Sequence, residues 1–246
     1  MKINSAINQF APIVLSQMDG VTLMNRTDRK YWFSATELSA LLNEVSSDYF
    51  ILEIEGERAL PYSSIYYDTP RNEMFADHHR GKLNRYKVRR RSYLATGSSF
   101  LEVKFKSNKG RTIKRRQSSE YGSLRFSPCD SEFIESNTPY RSDELTPTLE
   151  SHFRRIMLVS RDMNERCTID CEVHFKDGER CGSLPNITIV EVKSDGRQRS
   201  SIAEALQRRR IRPSGFSKYF VGRSMIGEGL KHNRFKSLQR KLGVRS

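Results

Sequence analysis

The sequence contains no apolar run that approaches the roughly 20 residues needed to span a bilayer as a helix. Its early apolar segment, Phe10–Leu15, is too short for an anchor, and the N-terminus lacks the pattern of a signal peptide. We therefore expect a cytoplasmic protein, which would associate with a membrane only through a partner protein.

Cysteine and histidine are scarce, and neither is spaced as a metal site. None of the four cysteines belongs to a CxxC pair, so a zinc site is not expected. His78 and His79 are adjacent, and adjacent side chains cannot both face one site from a regular element. We expect reduced cysteines with a packing role.

Acidic residues are outnumbered, since 29 Asp and Glu stand against 43 Lys and Arg and the formal net charge is +14. Such a charge predicts a polyanionic partner: nucleic acid, an anionic membrane or a phosphate-rich small molecule. Proteins that bind nucleic acid interleave exposed aromatic residues with their basic patch, so that bases can stack. In the most basic stretch, Asn84–Arg116, the aromatic residues fall opposite the charges, so we do not expect a nucleic acid.

The 246 residues are enough for a substantial core, and we expect one domain over 1–246. Alternating apolar and polar residues predict eight strands, at about 24–32, 62–68, 84–92, 99–107, 111–117, 153–160, 165–175 and 187–193. Residues 1–20 and 35–45 have helical spacing, 117–150 reads as a connecting segment, and 197–246 predicts helices and a basic tail. No βαβ alternation is visible, so the predicted class is α+β with an antiparallel sheet.

Three consecutive predicted strands in Asn84–Arg116 have polar faces that are almost wholly cationic. The residues that share these faces are Arg85, Lys87, Arg89 and Arg91, then Glu102, Lys104 and Lys106, then Thr112, Lys114 and Arg116. Neighbouring antiparallel strands would set the rows side by side, where like charges repel. A bound anion would relieve that repulsion.

An enclosed interior explains these charges better than a solvent face, because solvent faces usually mix the two signs. Isolated carboxylates also occur in E-x-K pairs on separate strands, at Glu102 and at Glu191. A closed eight-stranded antiparallel tunnel with a cationic interior and helices outside would gather these groups and remove the sheet edges. Its Lys and Arg could bind linked phosphates, while carboxylates hold a divalent cation.

Seven segments resemble, in order, those of the VTC (vacuolar transporter chaperone) domain. They are TDRKYW (27–32), SIYYDTP (64–70), NRYKVRRR (84–91), FLEVKFKSNKGR (100–111), ERCTIDCEV (165–173), IVEVK (189–193) and FSKYF (216–220). This domain is the polyphosphate polymerase branch of the triphosphate tunnel metalloenzymes, a CYTH-like superfamily. The resemblance implies a tunnel enzyme that transfers the γ-phosphoryl group of ATP to a growing polyphosphate with Mn²⁺ or Mg²⁺.

The resemblance also implies site residues. Arg89, Lys104 and Arg155 would clamp the transferring phosphate. Glu191 matches the family's metal-binding glutamate, and Glu102 is a second candidate acid. The implied phosphate-binding residues are Lys30, Lys82, Lys87, Lys106, Lys114, Lys193 and Lys218, of which Lys82 and Lys106 are the looser matches.

The sequence departs from the eukaryotic pattern at Gly215, where a further lysine is expected before the FSK motif. It also lacks an inositol-phosphate-sensing domain and a transmembrane segment. Regulation and coupling to transport across a membrane therefore do not follow from this chain alone, and a membrane-protein partner stays a candidate. Neither the oligomeric state nor the route of product release follows from these patterns.

Two other functions remain open. A tunnel enzyme that hydrolyses tripolyphosphate or a nucleoside triphosphate would need the same cations and metal, but would activate water. A non-catalytic polyphosphate-binding module would need the cations alone. The polymerase requires no strong general base, because a phosphate oxygen is already ionised at neutral pH and positioning carries phosphoryl transfer.

Overall fold

The computed structural model describes residues 2–20, 27–195, 199–230, 233 and 240, and shows a mixed α+β protein with a largely antiparallel sheet. Its strands are β1 (Ala11–Ile13), β2 (Thr27–Ser34), β3 (Tyr49–Leu52), β4 (Leu60–Asp68), β5 (Arg85–Tyr93), β6 (Ser98–Lys106), β7 (Thr112–Ser118), β8 (Thr146–Ser160), β9 (Glu165–Asp177), β10 (Arg180–Leu184) and β11 (Ile187–Ser194). Its α-helices are α1 (Lys2–Ile7), α2 (Leu38–Val45), α3 (Glu73–Arg80), α4 (Pro128–Asn137), α5 (Ser201–Arg208) and α6 (Lys218–Ile226). None of the helices described is long and apolar enough to cross a membrane.

The chain divides into two compact units, each assembled from separate stretches. Unit 1 contains Met1–Pro61, Phe153–Val173 and Leu184–Phe216, and unit 2 contains Tyr62–His152, His174–Ser183 and Ser217–Ser246. The long strands β8 and β9 contribute one part to each unit. The expectation that residues 1–246 fold as one domain stays a prediction.

In unit 1, β11 lies between β2 and β9 and pairs antiparallel with both. β3 pairs antiparallel with the end of β8, and β1 runs parallel to β3. Tyr31 and Ile169 belong to a core that includes buried side chains of α1, α2 and α5. Because side chains alternate along a strand, the opposite face of this sheet carries Lys30, Glu191 and Thr168 in one cross-strand row.

In unit 2, β4, β5, β6 and β7 form an antiparallel sheet in chain order. Val88 and Leu101 on one face join a second core with Ile134 of α4. Arg90 also lies on this face, almost completely buried, and its guanidinium pairs with Asp130 of α4 at 2.8 Å. The segment 117–150 was expected to be a connection with one helical turn near Ser131–Glu135, and α4 contains that turn and is anchored to the sheet by this ion pair.

All eight predicted strands are present, which confirms the alternation of apolar and polar residues as their signal. The boundaries move by up to a few residues, except that β8 begins at Thr146 and not at 153. Pro147 and the polar residues around it hid this extension, although Pro is tolerated near the first residue of a strand. The part of the first predicted strand before residue 27 lies outside the described residues, as does most of the predicted tail after 230.

The prediction of one helix over 1–20 was wrong. Helix α1 ends at Ile7, Ala11–Ile13 is a strand, and Leu15–Gly20 is a 3₁₀-helix. Pro12 explains the break, because proline lacks the N–H that an interior helical position must donate. Of the apolar residues at helical spacing, Ile7, Phe10, Ile13 and Met18 are nevertheless buried, whereas Val14 is exposed.

Candidate functional site

The cationic strands of unit 2 align their charges in cross-strand rows. The register gives row one (Arg89, Glu102 and Arg116), row two (Lys87, Lys104 and Lys114) and row three (Arg85, Lys106 and Thr112). Residues directly opposite in an antiparallel pair share a face, with Cβ atoms about 4.5–5.5 Å apart. The predicted crowding of like charges is thus real, and it is greatest in row two, which holds three lysines and no carboxylate.

Row one contains the acid that balances part of this charge. Glu102 is buried, and its carboxylate pairs with Arg89 at 2.6 Å and with Lys114 of row two. Burial alone would raise the pKa of Glu102, but the charges of Arg89, Arg91 and Lys114 together hold that pKa well below its usual range. Glu102 is therefore ionised and orients two cations toward the face of the sheet.

The pKa of Lys114 is lowered because its side chain is partly buried among other cations, although 39 % of that side chain remains exposed. Loss of hydration lowers the pKa of Lys114 to about 8, with Glu102 opposing the shift and Arg89 and Arg91 adding to it. Lys114 is thus a cation at neutral pH that loses its proton far more easily than a lysine in water.

The N-terminus of α6 is held against these strands. Lys87 Nζ donates a hydrogen bond of 3.0 Å to Ser217 Oγ, and Ser217 also caps the helix by accepting from the N–H of Phe220. Lys218 is the first residue of the helix. A helix N-terminus carries partial positive charge, so this end of α6 adds to the anion-attracting face of unit 2.

Close packing fixes α6 in place. A Cβ atom added to Gly222 would come within 2.6 Å of the Phe175 side chain and 2.7 Å of the Leu149 side chain, so only glycine fits there. At Gly215, by contrast, an added Cβ would meet no atom within 4 Å. The lysine expected at that position would therefore find space for its first side-chain atom.

Unit 1 carries a smaller polar site on the face opposite its core. Glu191 forms ion pairs with Lys193, at 3.3 Å, and with Lys30, at the longer distance of 3.7 Å. Arg155 forms a bidentate pair with the buried Asp170, through Nε at 2.5 Å and Nη2 at 2.8 Å. Burial lowers the pKa of Lys193, the charge of Glu191 opposes the shift, and Arg155 adds to it, so Arg155 lies within electrostatic range of this lysine.

The donor chemistry of this site suits a divalent metal that arrives with its phosphate. Mg²⁺ and similar ions are usually held by one or two carboxylates together with substrate phosphates. Glu191 supplies such a carboxylate, with 21 % of its side chain exposed. No group of three or more His, Cys, Asp or Glu within the described ranges is arranged to hold a metal by itself.

The predicted site residues fall into three groups. Rows one and two contain Arg89, Glu102, Lys87, Lys104 and Lys114. The unit 1 site contains Lys30, Arg155, Glu191 and Lys193. The third group contains lysines outside both sets. Lys218 begins α6, and Lys106 lies in row three, where its Nζ donates to Gly110 O at 2.8 Å. Lys82 is exposed and pairs with Asp77 at 3.1 Å. Their individual roles stay predictions.

Three supporting residues were not predicted. Asp68 anchors α6, Ser217 accepts from Lys87, and Asp170 orients Arg155. Asp68 and Ser217 lie inside segments that carry the family resemblance, SIYYDTP and FSKYF, and Asp170 lies on the polar face of a predicted strand. Of the three, only Ser217 stands next to an implied cation in the sequence, and no local signal identifies the partners of any of them.

The VTC domain family model matches residues 25–226. Because the match covers most of the 246 residues, the chain belongs to the VTC domain family, which confirms the resemblance seen in the sequence. A comparison with curated proteins finds no match.

Two solved structures of similar fold are described as candidate adenylate cyclases. A candidate adenylate cyclase from Bacillus halodurans gives a TM-score of 0.52 at 12% identity, over 79% of this chain and 96% of that chain. A candidate adenylyl cyclase from Hippeastrum is described as having a dominant triphosphatase activity. It gives a TM-score of 0.50 at 14% identity, over 85% of this chain and 100% of that chain. At such identities the likeness shows the fold alone.

Proposed function

We propose that this protein is a metal-dependent polyphosphate polymerase that transfers the γ-phosphoryl group of ATP to a growing polyphosphate chain. The proposal rests on row two, in which Lys104 of β6 stands directly opposite both Lys87 of β5 and Lys114 of β7. This row holds three lysines and no carboxylate of its own, and Glu102 of row one balances only part of their charge, so this face is complementary to linked phosphates. Membership of the VTC domain family supports the same substrate class.

The proposal includes the closed eight-stranded tunnel that the sequence predicts, with a cationic interior that would enclose the phosphate chain. The family match and the CYTH-like fold support this arrangement. Enclosure would remove water from the cations, and electrostatic interactions strengthen as the local dielectric constant falls.

Carboxylates hold the guanidinium groups of two arginines, which supports a role for both in binding phosphate. Glu102 holds Arg89 from one side, and Asp170 holds Arg155 through Nε and Nη2. Each guanidinium has five N–H donors, so donors remain for a phosphate oxygen after the carboxylate is satisfied. In our proposal Arg89, Arg155 and Lys104 stabilise the charge of the transferring phosphoryl group, and the lysines of both sites hold the flanking phosphates.

Glu191 would hold Mn²⁺ or Mg²⁺. When bound, such an ion neutralises phosphate oxygens and so favours transfer of the phosphoryl group. Lys30 and Lys193 would then remain beside the same carboxylate to bind the phosphates. Because Glu102 is buried between two cations, whereas 21 % of the Glu191 side chain is exposed, we assign to Glu102 the orientation of Arg89 and Lys114, in preference to metal binding.

Hydrolysis of a triphosphate is the second candidate function. The Hippeastrum neighbour is described as a triphosphatase, and a cationic site with one metal-binding acid suits that reaction as well. The two activities differ in the acceptor, which is a phosphate oxygen of the polymer in one and water in the other.

The deciding experiment incubates the purified protein with ATP and Mn²⁺ and resolves the products on a gel stained for polyphosphate. Polymer that grows with time supports the polymerase, and a parallel reaction without metal tests the metal requirement. Release of inorganic phosphate without polymer would favour the hydrolase. Binding of preformed polyphosphate without either product would leave a non-catalytic binding module.

A further inference from the structure

Positive charge continues along the β6–β7 hairpin beyond the residues assigned to phosphoryl transfer. Row one contains a carboxylate, row two contains only lysines, and row three contains Arg85 and Lys106. Past row three, the turn Ser107–Arg111 joins β6 to β7 and exposes Lys109 and Arg111. Positive charge thus persists to the end of the hairpin, whereas the only carboxylate of the three rows lies at row one.

At the β6–β7 end of the sheet, cationic side chains donate hydrogen bonds to neutral backbone carbonyls, which fix the conformation of the turn and leave its positive charge in place. Lys106 Nζ donates to Gly110 O across the turn, and Arg85 Nη1 donates to Lys82 O at 2.5 Å. Asn108 N donates to Asn84 Oδ1 at 2.9 Å and ties the turn to the residue before β5. Within the described part of the chain, the two cations of row three and the two of the turn form no ion pair.

The length of this surface exceeds what a short substrate needs. Residues two apart on a strand lie about 7 Å apart, so the path from row one to the turn is roughly 20 Å. A single triphosphate bound at rows one and two would leave the outer cations without an anion. A polymer that grows at row one and stays bound would lie along them.

We propose that row three and the turn Ser107–Arg111 form a product-binding surface, which holds the polyphosphate chain as it leaves the site of transfer. The inference rests on the proposed function and adds the direction in which the product leaves. Charge complementarity selects the occupant, since a linked phosphate chain carries negative charge at every unit and can contact successive rows. A chain that is held after each transfer is extended again before it dissociates, so this surface would make synthesis processive.

The test reverses the two charges of the turn in a Lys109→Glu/Arg111→Glu variant. Both side chains are exposed, and the substitutions leave Gly110, which has φ of +75°, unchanged. A matched control, Arg125→Glu/Lys176→Glu, changes the net charge equally at exposed positions outside the three rows. Three measurements compare the variants: product length at equal ATP consumption, affinity for preformed long-chain polyphosphate without ATP, and binding to phosphatidylserine vesicles.

We expect the turn variant to make shorter chains than the control and to bind long polyphosphate about tenfold more weakly, with a shallower salt dependence. Equal chain lengths and equal affinities in the two variants would overturn the inference. Loss of binding to phosphatidylserine vesicles with unchanged polyphosphate affinity would also overturn it and assign the turn to a membrane surface. If the wild type makes no polymer, the proposed polymerase fails, while the affinity for preformed chains still decides whether this surface binds them.

Discussion

The hydroxyl of Tyr219 in α6 donates a hydrogen bond to Asp68 at the end of β4, and both residues are buried. The same carboxylate accepts the backbone N–H groups of Thr69, Met74 and Phe75, and so also holds the first turn of α3. Burial first, and the charge of Asp68 second, raise the pKa of Tyr219 well above its usual range, so the phenol keeps its proton. Asp68 thereby fixes the helix whose first turn meets Lys87.

Tyr219→Phe removes this hydrogen bond and leaves the other three partners of Asp68 in place. We expect the free energy of unfolding to fall by about 1–2 kcal/mol, and tripolyphosphate to bind several-fold more weakly because the start of α6 is less firmly held. Tyr67→Phe is the matched control, since it deletes the buried hydroxyl on β4 that accepts from Arg90 on the apolar face. The control should lose stability and keep its affinity; equal losses of affinity in both variants would contradict a positioning role for Tyr219.

The strands and their charged faces could be predicted because alternation is a local property of the chain. Lys87, Lys104 and Lys114 each lie on the polar face of a strand that the sequence shows. Their alignment in one row depends on the register of two hairpins, which the turns and core packing set together. The sequence therefore predicted a cationic sheet without predicting which cations stand opposite one another.

The supporting partners could not be predicted, because they come from distant parts of the chain. Asp170 reaches Arg155 from the next strand, and Asp130 reaches Arg90 across 40 positions. Arg90 is the clearest case: it stands among the basic residues of β5, yet it faces the core and is 1 % exposed. Charge alone predicts a surface position for such a residue, and only the ion pair with α4 explains its burial.

Glu102→Gln should destabilise the protein without ligand. The substitution removes the buried negative charge that balances Arg89 and Lys114, and breaking a buried ion pair typically costs about 3–5 kcal/mol. Tripolyphosphate would supply the missing charge, so its addition should raise the melting temperature more in this variant than in the wild type. Thermal unfolding with and without tripolyphosphate measures both effects, and Glu150→Gln on β8 serves as a partly exposed control. Equal ligand-induced shifts in the wild type and Glu102→Gln would count against this balance of charges.

The lowered pKa of Lys114 predicts that phosphate binding depends on pH. Its pKa of about 8 means that the ligand-free protein loses this charge between pH 7 and 9, so the affinity for tripolyphosphate should fall by up to tenfold per pH unit above 8. Lys114→Arg keeps its charge throughout and should flatten the profile, though not fully, because the pKa of Lys193 is also lowered. Identical profiles for the wild type and Lys114→Arg would refute the assignment.

The same group affects stability with a defined sign. Because the folded pKa of Lys114 lies below the value of 10.5 expected for a free lysine, the unfolded chain binds more protons between about pH 8 and 10.5. The contribution of Lys114 to the stability of the ligand-free protein should therefore increase across that interval. Lys114→Arg should lack this increase in denaturant unfolding measured over the same range.

Glu191→Gln separates the metal site from the phosphate site. The amide has the size of the carboxylate but no charge, so metal-dependent product formation should be abolished while the fold is retained. Lys30 and Lys193 lose their common ion-pair partner at the same time, so metal-free binding of tripolyphosphate should become tighter by several-fold. Calorimetric titration without metal, beside an activity assay with Mn²⁺, measures the two opposite responses, with the exposed Glu179→Gln as control. If metal-free binding of tripolyphosphate and activity with Mn²⁺ both weakened, the substitution would have damaged the site as a whole. Undiminished activity would remove Glu191 from the proposed metal centre.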